Sequence, residues 1–199
     1  MDLVFQVRFH GRGGQGVVTA AELLSVAAFA EGRHAQAFPS FGSERTGAPV
    51  VSFCRISDAP IRTRQPVTEP DVVIVQDATL LHQVDVLRGL RADGYLLLNS
   101  SRRLEDLGLA ELEAVLLPGR ARAVPATDVA LAHTGRPVAN AALLGAFAAL
   151  TGVVSLGSVR SAIVQRFSGP AAEANAAAAA AAFRLMSPAE RALSSAPPA

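Results

Sequence analysis

The sequence predicts an α/β fold: an open, mainly parallel, Rossmann-like sheet with helices on both faces, followed by a helical C-terminal section. Strand-like runs alternate with helix-like periodicity through residues 3–124, an order typical of parallel sheets. Residues 72–76 and 94–99 are dominated by apolar side chains, as expected for strands that are buried on both faces. Beyond Pro137 only helical periodicity remains. The three helical segments are residues 139–150, 158–167 and 170–186.

The remaining elements follow from local residue patterns. The first strand is predicted at residues 3–9, where β-branched and aromatic residues dominate, and a helix begins at Val17, after which apolar side chains recur at helical spacing. Asp77 is placed to cap a helix over residues 79–90. Residues 175–183 are almost all alanine, the strongest helix former, and are interpreted as helix. Further strands are expected at 34–38, 50–56 and 120–124, and a partly helical stretch at 103–115.

Length and charge limit the classes of function. With 199 residues, half of them apolar, and a net charge of +1, the chain is expected to form one domain over residues 1–186 with a flexible tail at residues 187–199. The near-neutral charge provides no electrostatic footprint for nucleic acid or for a membrane surface. No signal-peptide pattern precedes the first strand and no apolar run has the length of a membrane span, which together favour a cytoplasmic protein.

Residues for catalysis or metal binding form no recognisable set. The single cysteine, Cys54, lies in an apolar run and is interpreted as a buried core thiol, so no disulfide and no iron–sulfur ligand set can form within this chain. No catalytic triad, metal-spaced histidine set or pair of catalytic carboxylates can be assembled. His10 either donates to a phosphate or, as we favour, is a structural histidine with its own partner.

The most informative motif is a glycine-rich loop between the first strand and the first helix. Gly11, Gly13 and Gly16 form a G-x-G-x-x-G pattern in this strand–loop–helix context. The N–H groups at a helix start lack internal partners and carry partial positive charge, so the loop suits a phosphate or carboxylate. A turn that only packs the helix on the strand is the equal alternative. A generic NAD site is not supported, because no acidic residue stands at the end of the second predicted strand, about 20 positions after the loop.

A second loop contains further candidate binding residues. Glu44 and Arg45 lie in the long connection between the second and third strands, where they could face the same ligand as Arg12 of the glycine loop. The slightly favoured alternative is that Glu44 and Arg45 form an ion pair or contact another subunit. Phe38 and Phe41 fit such an interface as well.

Two polar positions follow the ends of predicted elements elsewhere. Gln76 and Asp77 come after the carboxyl end of a central strand, the edge at which open α/β sheets bind ligands, although helix capping is the favoured role for Asp77. Asn140, near a helix start, either bonds a substrate or caps the backbone, and the sequence does not decide between the two.

Several segments in the same order resemble one family, the γ subunits of 2-oxoacid:ferredoxin oxidoreductases, and the pyruvate type in particular. The resemblance covers about residues 3 to 186. Its segments are residues 8–16 (RFHGRGGQG), 36–39 (QAFP), 44–50 (ERTGAPV), 73–77 (VIVQD) and 138–147 (VANAALLGAF).

The resemblance implies a function for the chain. It implies a subunit, inactive alone, of an enzyme that oxidatively decarboxylates a 2-oxoacid to its acyl-CoA and passes the electrons to ferredoxin. Thiamine diphosphate, Mg and [4Fe-4S] clusters would belong to the other subunits (α, β, δ or fused equivalents). This chain would close the active site and help to hold CoA. The loop residues expected to contact CoA are Gly11, Arg12, Gly13, Gly14, Gln15, Gly16, Val17 and Thr19.

Two alternatives stay open. The chain could be a γ-like subunit of a related complex that acts on aryl-pyruvates, phenylglyoxylate or oxalate. It could also be a non-catalytic nucleotide-binding or scaffold module that binds no CoA.

Overall fold

The structure is a computed structural model that describes residues 4–40 and 46–186. The predictions for Phe41, Glu44 and Arg45 and for the C-terminal tail lie outside the described residues.

The described residues form six strands and six α-helices: the strands and the first three helices occupy the first two thirds of the chain, and the last three helices follow one another, as predicted. The strands are β1 (Phe5–Arg12), β2 (His34–Pro39), β3 (Pro49–Ser57), β4 (Val72–Val75), β5 (Tyr95–Asn99) and β6 (Ala121–Val124). The helices are α1 (Val17–Ala30), α2 (Ala110–Val115), α3 (Ala126–Thr134), α4 (Asn140–Thr151), α5 (Leu156–Arg166) and α6 (Gly169–Met186). Short 3-10 helices lie at Ala78–His82 and Glu105–Leu107.

The strands form one sheet in the order β2-β3-β1-β4-β5-β6. β1, β4, β5 and β6 are mutually parallel, and only β3 runs antiparallel to its two neighbours, so the prediction of an open, mainly parallel sheet is confirmed. β2 and β3, which follow β1 and α1 in the chain, lie on one side of β1 within the sheet. β4, β5 and β6 lie on the other side of β1. The strand order therefore reverses between β1 and β4, and open α/β sheets bind ligands in such a crevice.

One face of the sheet carries the main core, beneath α1, α4, α5 and α6. Helices α4 and α6 approach closely at Gly145, where an added Cβ would lie only 1.9 Å from the carbonyl oxygen of Ala179. The alanine-rich stretch is helical, as predicted, and its small side chains permit this close approach. Any larger residue at Gly145 would force the two helices apart.

The second face is apolar beneath β4 and β5 and polar beneath β1 and β3. Arg8 of β1 is buried and donates to His10 Nε2 at 3.0 Å. Burial, followed by the charge of Arg8, lowers the pKa of His10 to about 4, so this imidazole is neutral near pH 7. His10 is therefore a buried structural histidine with its own partner, as favoured from the sequence.

Two predicted elements are corrected. β1 continues to Arg12, so Gly11 and Arg12 are strand residues and the loop proper begins at Gly13. The predicted helix at 79–90 is wrong, because only the 3-10 helix Ala78–His82 forms.

The reason for the missing helix lies in tertiary contacts. The carbonyl oxygens of Val86 and Arg88 accept hydrogen bonds from the buried Arg8 guanidinium instead of from helical N–H groups. Gly89 has φ +72 and passes so close to the carbonyl oxygen of Thr68 that an added Cβ would lie 2.0 Å from it. The predicted cap is present, since the Asp77 carboxylate accepts from the N–H of Thr79 at 3.0 Å.

Candidate functional site

The glycine-rich loop turns between β1 and α1 in a conformation that requires glycine. Gly14 has φ +93 and Gly16 has φ +75, both in the left-handed region that L-residues with a side chain rarely adopt. Nothing lies within 4 Å of a Cβ built on Gly14, whereas a Cβ on Gly16 would come within 2.8 Å of Asn140 Nδ2. The backbone of Gly14 therefore faces open space.

The loop N–H groups divide into used and free donors. The N–H of Gly13 donates to Ala48 O at 2.9 Å and that of Gln15 to Arg12 O at 3.0 Å, so these two groups are not free, contrary to expectation. The N–H groups of Gly14, Gly16 and Val17 donate to no residue in the described part of the chain. Those of Val18 and Thr19 belong to the first turn of α1, since the first helix-type bond is Ala20 N–H to Gly16 O. The free donors form a cradle of partial positive charge.

The Arg12 guanidinium bonds to several segments of the protein. Its Nε pairs with the Asp77 carboxylate at 3.0 Å, its Nη1 donates to Gly47 O at 3.1 Å, and its Nη2 donates to Thr79 Oγ1 at 2.7 Å and Gln83 Oε1 at 3.1 Å. All three guanidinium nitrogens have protein partners. The side chain thus ties β1 to the segment before β3 and to the 3-10 helix after β4.

Gln15 and Asp77 complete this network. Gln15 Oε1 accepts from the N–H of Arg12 at 2.8 Å, and its Nε2 donates to Asp77 at 2.9 Å. Burial alone raises the pKa of Asp77, but hydrogen bonds from Thr79 and Gln15 and the charge of Arg12 together outweigh it, so the pKa lies below its ordinary value. Asp77 is therefore ionised near pH 7 and anchors the loop.

Asn140 brings a second helix start to the loop. It is the first residue of α4, is 3% exposed, and its Oδ1 accepts from the N–H of Ala141 at 2.8 Å. Its Nδ2, beside Gly16, donates to no residue in the ranges 4–40 and 46–186. The N-termini of α1 and α4 therefore meet at one point, with an unused donor between them.

Gln76, which the sequence placed at the ligand-binding edge of the sheet, is buried beside the loop. It lies in the crevice between β1 and β4, where a Cβ on Gly11 would be 3.2 Å from its own Cβ. The side chain is buried, and neither its Oε1 nor its Nε2 has a hydrogen-bond partner among the described residues. The useful signal was its position directly after a strand buried on both faces.

Two clefts open on either side of the loop and share Gly14, Gly16 and Thr19. The smaller cleft, about 270 Å³, is also lined by Arg12, Gly13, Val17, Val18 and Val50. The larger cleft, about 690 Å³, extends between the α3–α4 connection and the α5–α6 junction. Its further lining includes Arg136, Val138, Asn140, Arg166, Phe167 and Asn175. Seven of the predicted loop and helix-start residues thus line these two clefts, namely Arg12, Gly13, Gly14, Gly16, Val17, Thr19 and Asn140. Gly11 and Gln15 line neither cleft, although Gln15 bonds to Arg12 and Asp77 beside them.

Phe38 lies apart from this site. It belongs to the edge strand β2, where its ring is 5.2 Å from that of Phe53 and 5.1 Å from the Arg55 guanidinium carbon. It is half-buried and lines neither cleft. Residues 4–40 and 46–186 contain no group of three metal-ligating side chains and no helix long and apolar enough to cross a membrane.

Comparison with known proteins places the chain in a family. The family model described as pyruvate ferredoxin/flavodoxin oxidoreductase matches residues 6–185. The common γ subunit of pyruvate/ketoisovalerate oxidoreductases of Thermococcus kodakarensis is 50% identical over 90% of this chain and 96% of its own. Pyruvate synthase subunit PorC of Methanocaldococcus jannaschii is 48% identical over 92% and 97%.

A solved structure agrees with these sequence relatives. The pyruvate oxidoreductase subunit PORC of Thermotoga maritima superposes with a TM-score of 0.77 at 35% identity, over 91% of this chain and 96% of that one. The chain therefore belongs to the pyruvate ferredoxin/flavodoxin oxidoreductase family, as a γ-type subunit of such an enzyme complex, which confirms the assignment made from its motifs.

Proposed function

We propose that this chain binds CoA at the glycine-rich loop and helps to close the active site of an oxidoreductase that converts a 2-oxoacid and CoA into acyl-CoA and CO₂. The two electrons released pass through the complex to ferredoxin. The names of the relatives, pyruvate synthase and pyruvate/ketoisovalerate oxidoreductase, support pyruvate or a branched 2-oxoacid as the substrate.

The observation that carries this proposal is the meeting of two helix N-termini at the crevice between β1 and β4. The free N–H groups of Gly14, Gly16 and Val17 and the amide of Asn140 converge there. Such a cradle complements the negative charge of a pyrophosphate without any cationic side chain. The positive φ of Gly14 and Gly16 keeps the backbone uncovered, so a phosphate can approach it closely.

The role of Arg12 changes in this proposal. Because all three of its guanidinium nitrogens have protein partners, it acts as a positioning residue that holds the cradle, and the backbone supplies the donors.

The electron-transfer cofactors belong to the other subunits. A [4Fe-4S] cluster is held by four cysteine thiolates, and this chain has only Cys54, which is fully buried in β3. Burial also raises the pKa of the Cys54 thiol, so the thiolate needed for ligation is disfavoured. When bound elsewhere in the complex, thiamine diphosphate supplies the decarboxylation chemistry and the clusters carry electrons.

The test compares two glycine variants with the same backbone strain. Gly14→Ala places a methyl group in the cradle, whereas Gly32→Ala places one beyond the other end of α1, away from the cradle. Both positions have positive φ and open space around the new Cβ. In the assembled complex, Gly14→Ala should raise the KM for CoA by about tenfold, the equivalent of one lost charge-assisted contact. The CoA-independent decarboxylation step should stay near normal.

The Gly32→Ala control shows which result would refute CoA binding at the loop. Gly32→Ala should assemble equally well and keep the wild-type KM for CoA. If both variants leave the KM for CoA unchanged in a fully assembled complex, the chain is a scaffold at this position and the proposal is wrong.

A further inference from the structure

The connection from β3 to β4, residues 58–71, is described throughout and contains no helix or strand. It runs across the polar part of the second face, where three side chains of the sheet donate to its carbonyl oxygens. These bonds are Arg55 Nη2 to Gln65 O at 2.5 Å, Arg8 Nη1 to Val67 O at 3.4 Å and Gln6 Nε2 to Glu69 O at 3.3 Å. Connections of about a dozen residues or more without secondary structure are uncommon in compact domains, and ordered ones usually carry a function.

Two of the side chains that hold this connection are buried cations. Arg8 is 7% exposed and Arg55 is 3% exposed, and neither forms an ion pair within residues 4–40 and 46–186. Burial lowers the pKa of both guanidinium groups, although arginine stays protonated near pH 7. A buried charge without a counter-ion is costly. The sheet therefore carries unneutralised positive charge directly beneath the connection.

The connection itself adds positive charge at its surface. Arg62 and Arg64 are exposed, and neither forms an ion pair or a hydrogen bond with any part of the chain that the structure describes. The acidic residues Asp58 and Asp71 each pair with an arginine outside the connection, which leaves only Glu69 near its far end. Positive charge thus exceeds negative charge in this region of the surface.

The edge strand β2 continues the same surface. The half-buried ring of Phe38 lies 5.1 Å from the guanidinium carbon of Arg55, whose Nη2 bonds the connection beside Arg64. Arginine and aromatic residues are enriched in protein–protein interfaces. Pro39, at the end of β2, has no N–H to offer to an added strand, so contact through side chains is favoured over extension of the sheet.

We infer that Arg62 and Arg64, next to Phe38, form a docking surface for an acidic segment of a partner subunit in the oxidoreductase complex. The inference rests on the membership of the chain in this family of enzyme subunits and does not depend on CoA binding. Charge selects the occupant, because the carboxylates of aspartate and glutamate pair well with guanidinium forks.

The position of these arginines favours a protein segment over other anions. Neither Arg62 nor Arg64 lines either cleft beside the glycine-rich loop, and small molecules bind in concave sites. The net charge of +1 of the whole chain is not that of a nucleic-acid-binding protein. Since Arg8 and Arg55 already fix the path of the connection, docking has to order few further residues, and this lowers the entropic cost of binding.

The experiment reverses the two exposed charges. The double variant Arg62→Glu/Arg64→Glu is compared with Arg160→Glu, because Arg160 on α5 is also exposed and forms no ion pair within the described residues. Each full-length chain is mixed with the partner subunits of the complex, and the dissociation constant is measured by analytical ultracentrifugation. The double variant should raise it by about 100-fold, or about tenfold for each charge-assisted contact. Arg160→Glu should change it by less than about twofold.

Salt provides a second measurement. Raising NaCl from about 0.05 M to about 0.5 M should weaken assembly of the wild-type chain, and this dependence should be clearly smaller for the double variant. Hydrogen exchange of residues 58–67 should slow when the wild-type chain joins its partners. An unchanged dissociation constant in the double variant, equal weakening by Arg160→Glu, or unchanged exchange over residues 58–67 would overturn the inference.

Two controls on the isolated chain distinguish docking from other roles of the arginines. The double variant should keep the wild-type urea midpoint, because neither side chain bonds within the described residues, and a lowered midpoint would assign Arg62 and Arg64 a structural role instead. If the variant abolishes self-association of the isolated chain and assembles normally with the partner subunits, the occupant is a second copy and the inference is wrong.

Discussion

The Asp77 carboxylate is expected to be the strongest single determinant of the loop conformation. Its Oδ2 accepts from Arg12 Nε at 3.0 Å and from Gln15 Nε2 at 2.9 Å, and its Oδ1 accepts from the N–H of Thr79. The side chains of Arg12 and Asp77 are 21% and 17% exposed. Asp77→Ala would leave a guanidinium without its anion and an amide without its acceptor.

The expected loss of unfolding free energy in Asp77→Ala follows from these hydrogen bonds. A charge-assisted hydrogen bond contributes about 1.5–3 kcal/mol and a helix cap about 1 kcal/mol, and partial exposure reduces the ionic part. We therefore expect Asp77→Ala to lower the free energy of unfolding by about 3 kcal/mol, or Tm by roughly 6–12 °C for a domain of this size. Asp77→Asn should lose less, because an amide oxygen can still accept from Thr79.

Urea unfolding followed by circular dichroism measures the difference. The matched control is Asp58→Ala, since Asp58 also pairs with an arginine at 3.0 Å but its side chain is 88% exposed. That change should cost less than about 0.5 kcal/mol. Equal costs for Asp77→Ala and Asp58→Ala would refute the argument that the buried network holds the loop.

The pH dependence gives a second check of the same network. Because the pKa of folded Asp77 is depressed, its stabilising effect is present above the unfolded pKa and is lost as the pH falls through the folded pKa. The difference in unfolding free energy between wild type and Asp77→Asn should therefore shrink in acid, below the ordinary aspartate range. A difference that stays constant into strong acid would contradict an ionised Asp77.

Two further predictions concern the core. Gly145→Ala should lower the free energy of unfolding by about 2 kcal/mol or more, because the new Cβ would lie 1.9 Å from Ala179 O. The control Gly157→Ala on α5, where the new Cβ would make only ordinary contacts, should be neutral or stabilising. Equal urea midpoints for the two variants would refute the close packing of α4 on α6. The pKa of His10, about 4, predicts that the unfolded chain binds a proton that the folded chain does not, so the free energy of unfolding should fall as the pH is lowered from about 6.5 to about 4. His10→Gln should remove that part of the slope, and NMR titration of His10 near pH 6.5 would contradict the burial argument.

Local patterns predicted most of the fold. The strand at 50–56, the apolar runs that became β4 and β5, and the alanine-rich helix α6 all lie where residue type and periodicity placed them. The prediction failed at 79–90, where a helix capped by Asp77 was expected. There the buried Arg8, far away in the chain, takes the carbonyl oxygens that a helix would need.

The candidate site was predicted in position but not in detail. The glycine spacing identified the loop, because a strand-to-helix turn with positive φ depends on a few adjacent residues. The sequence could not show that the N–H groups of Gly13 and Gln15 are already used, since their acceptors are set by the path of the neighbouring chain. It also could not separate the two possible roles of Asn140.

The sequence by itself therefore determined the order of elements, the glycine-rich turn and the family, because each rests on neighbouring residues or on motifs read along the chain. Only the tertiary structure decided that Arg12 is a positioning residue, since its partner Asp77 is 65 positions away. It likewise placed Asn140 against Gly16 and brought Arg136 and Arg166 into one cleft. Those relations depend on how the helices pack on the sheet, and packing is fixed by the whole core rather than by any local pattern.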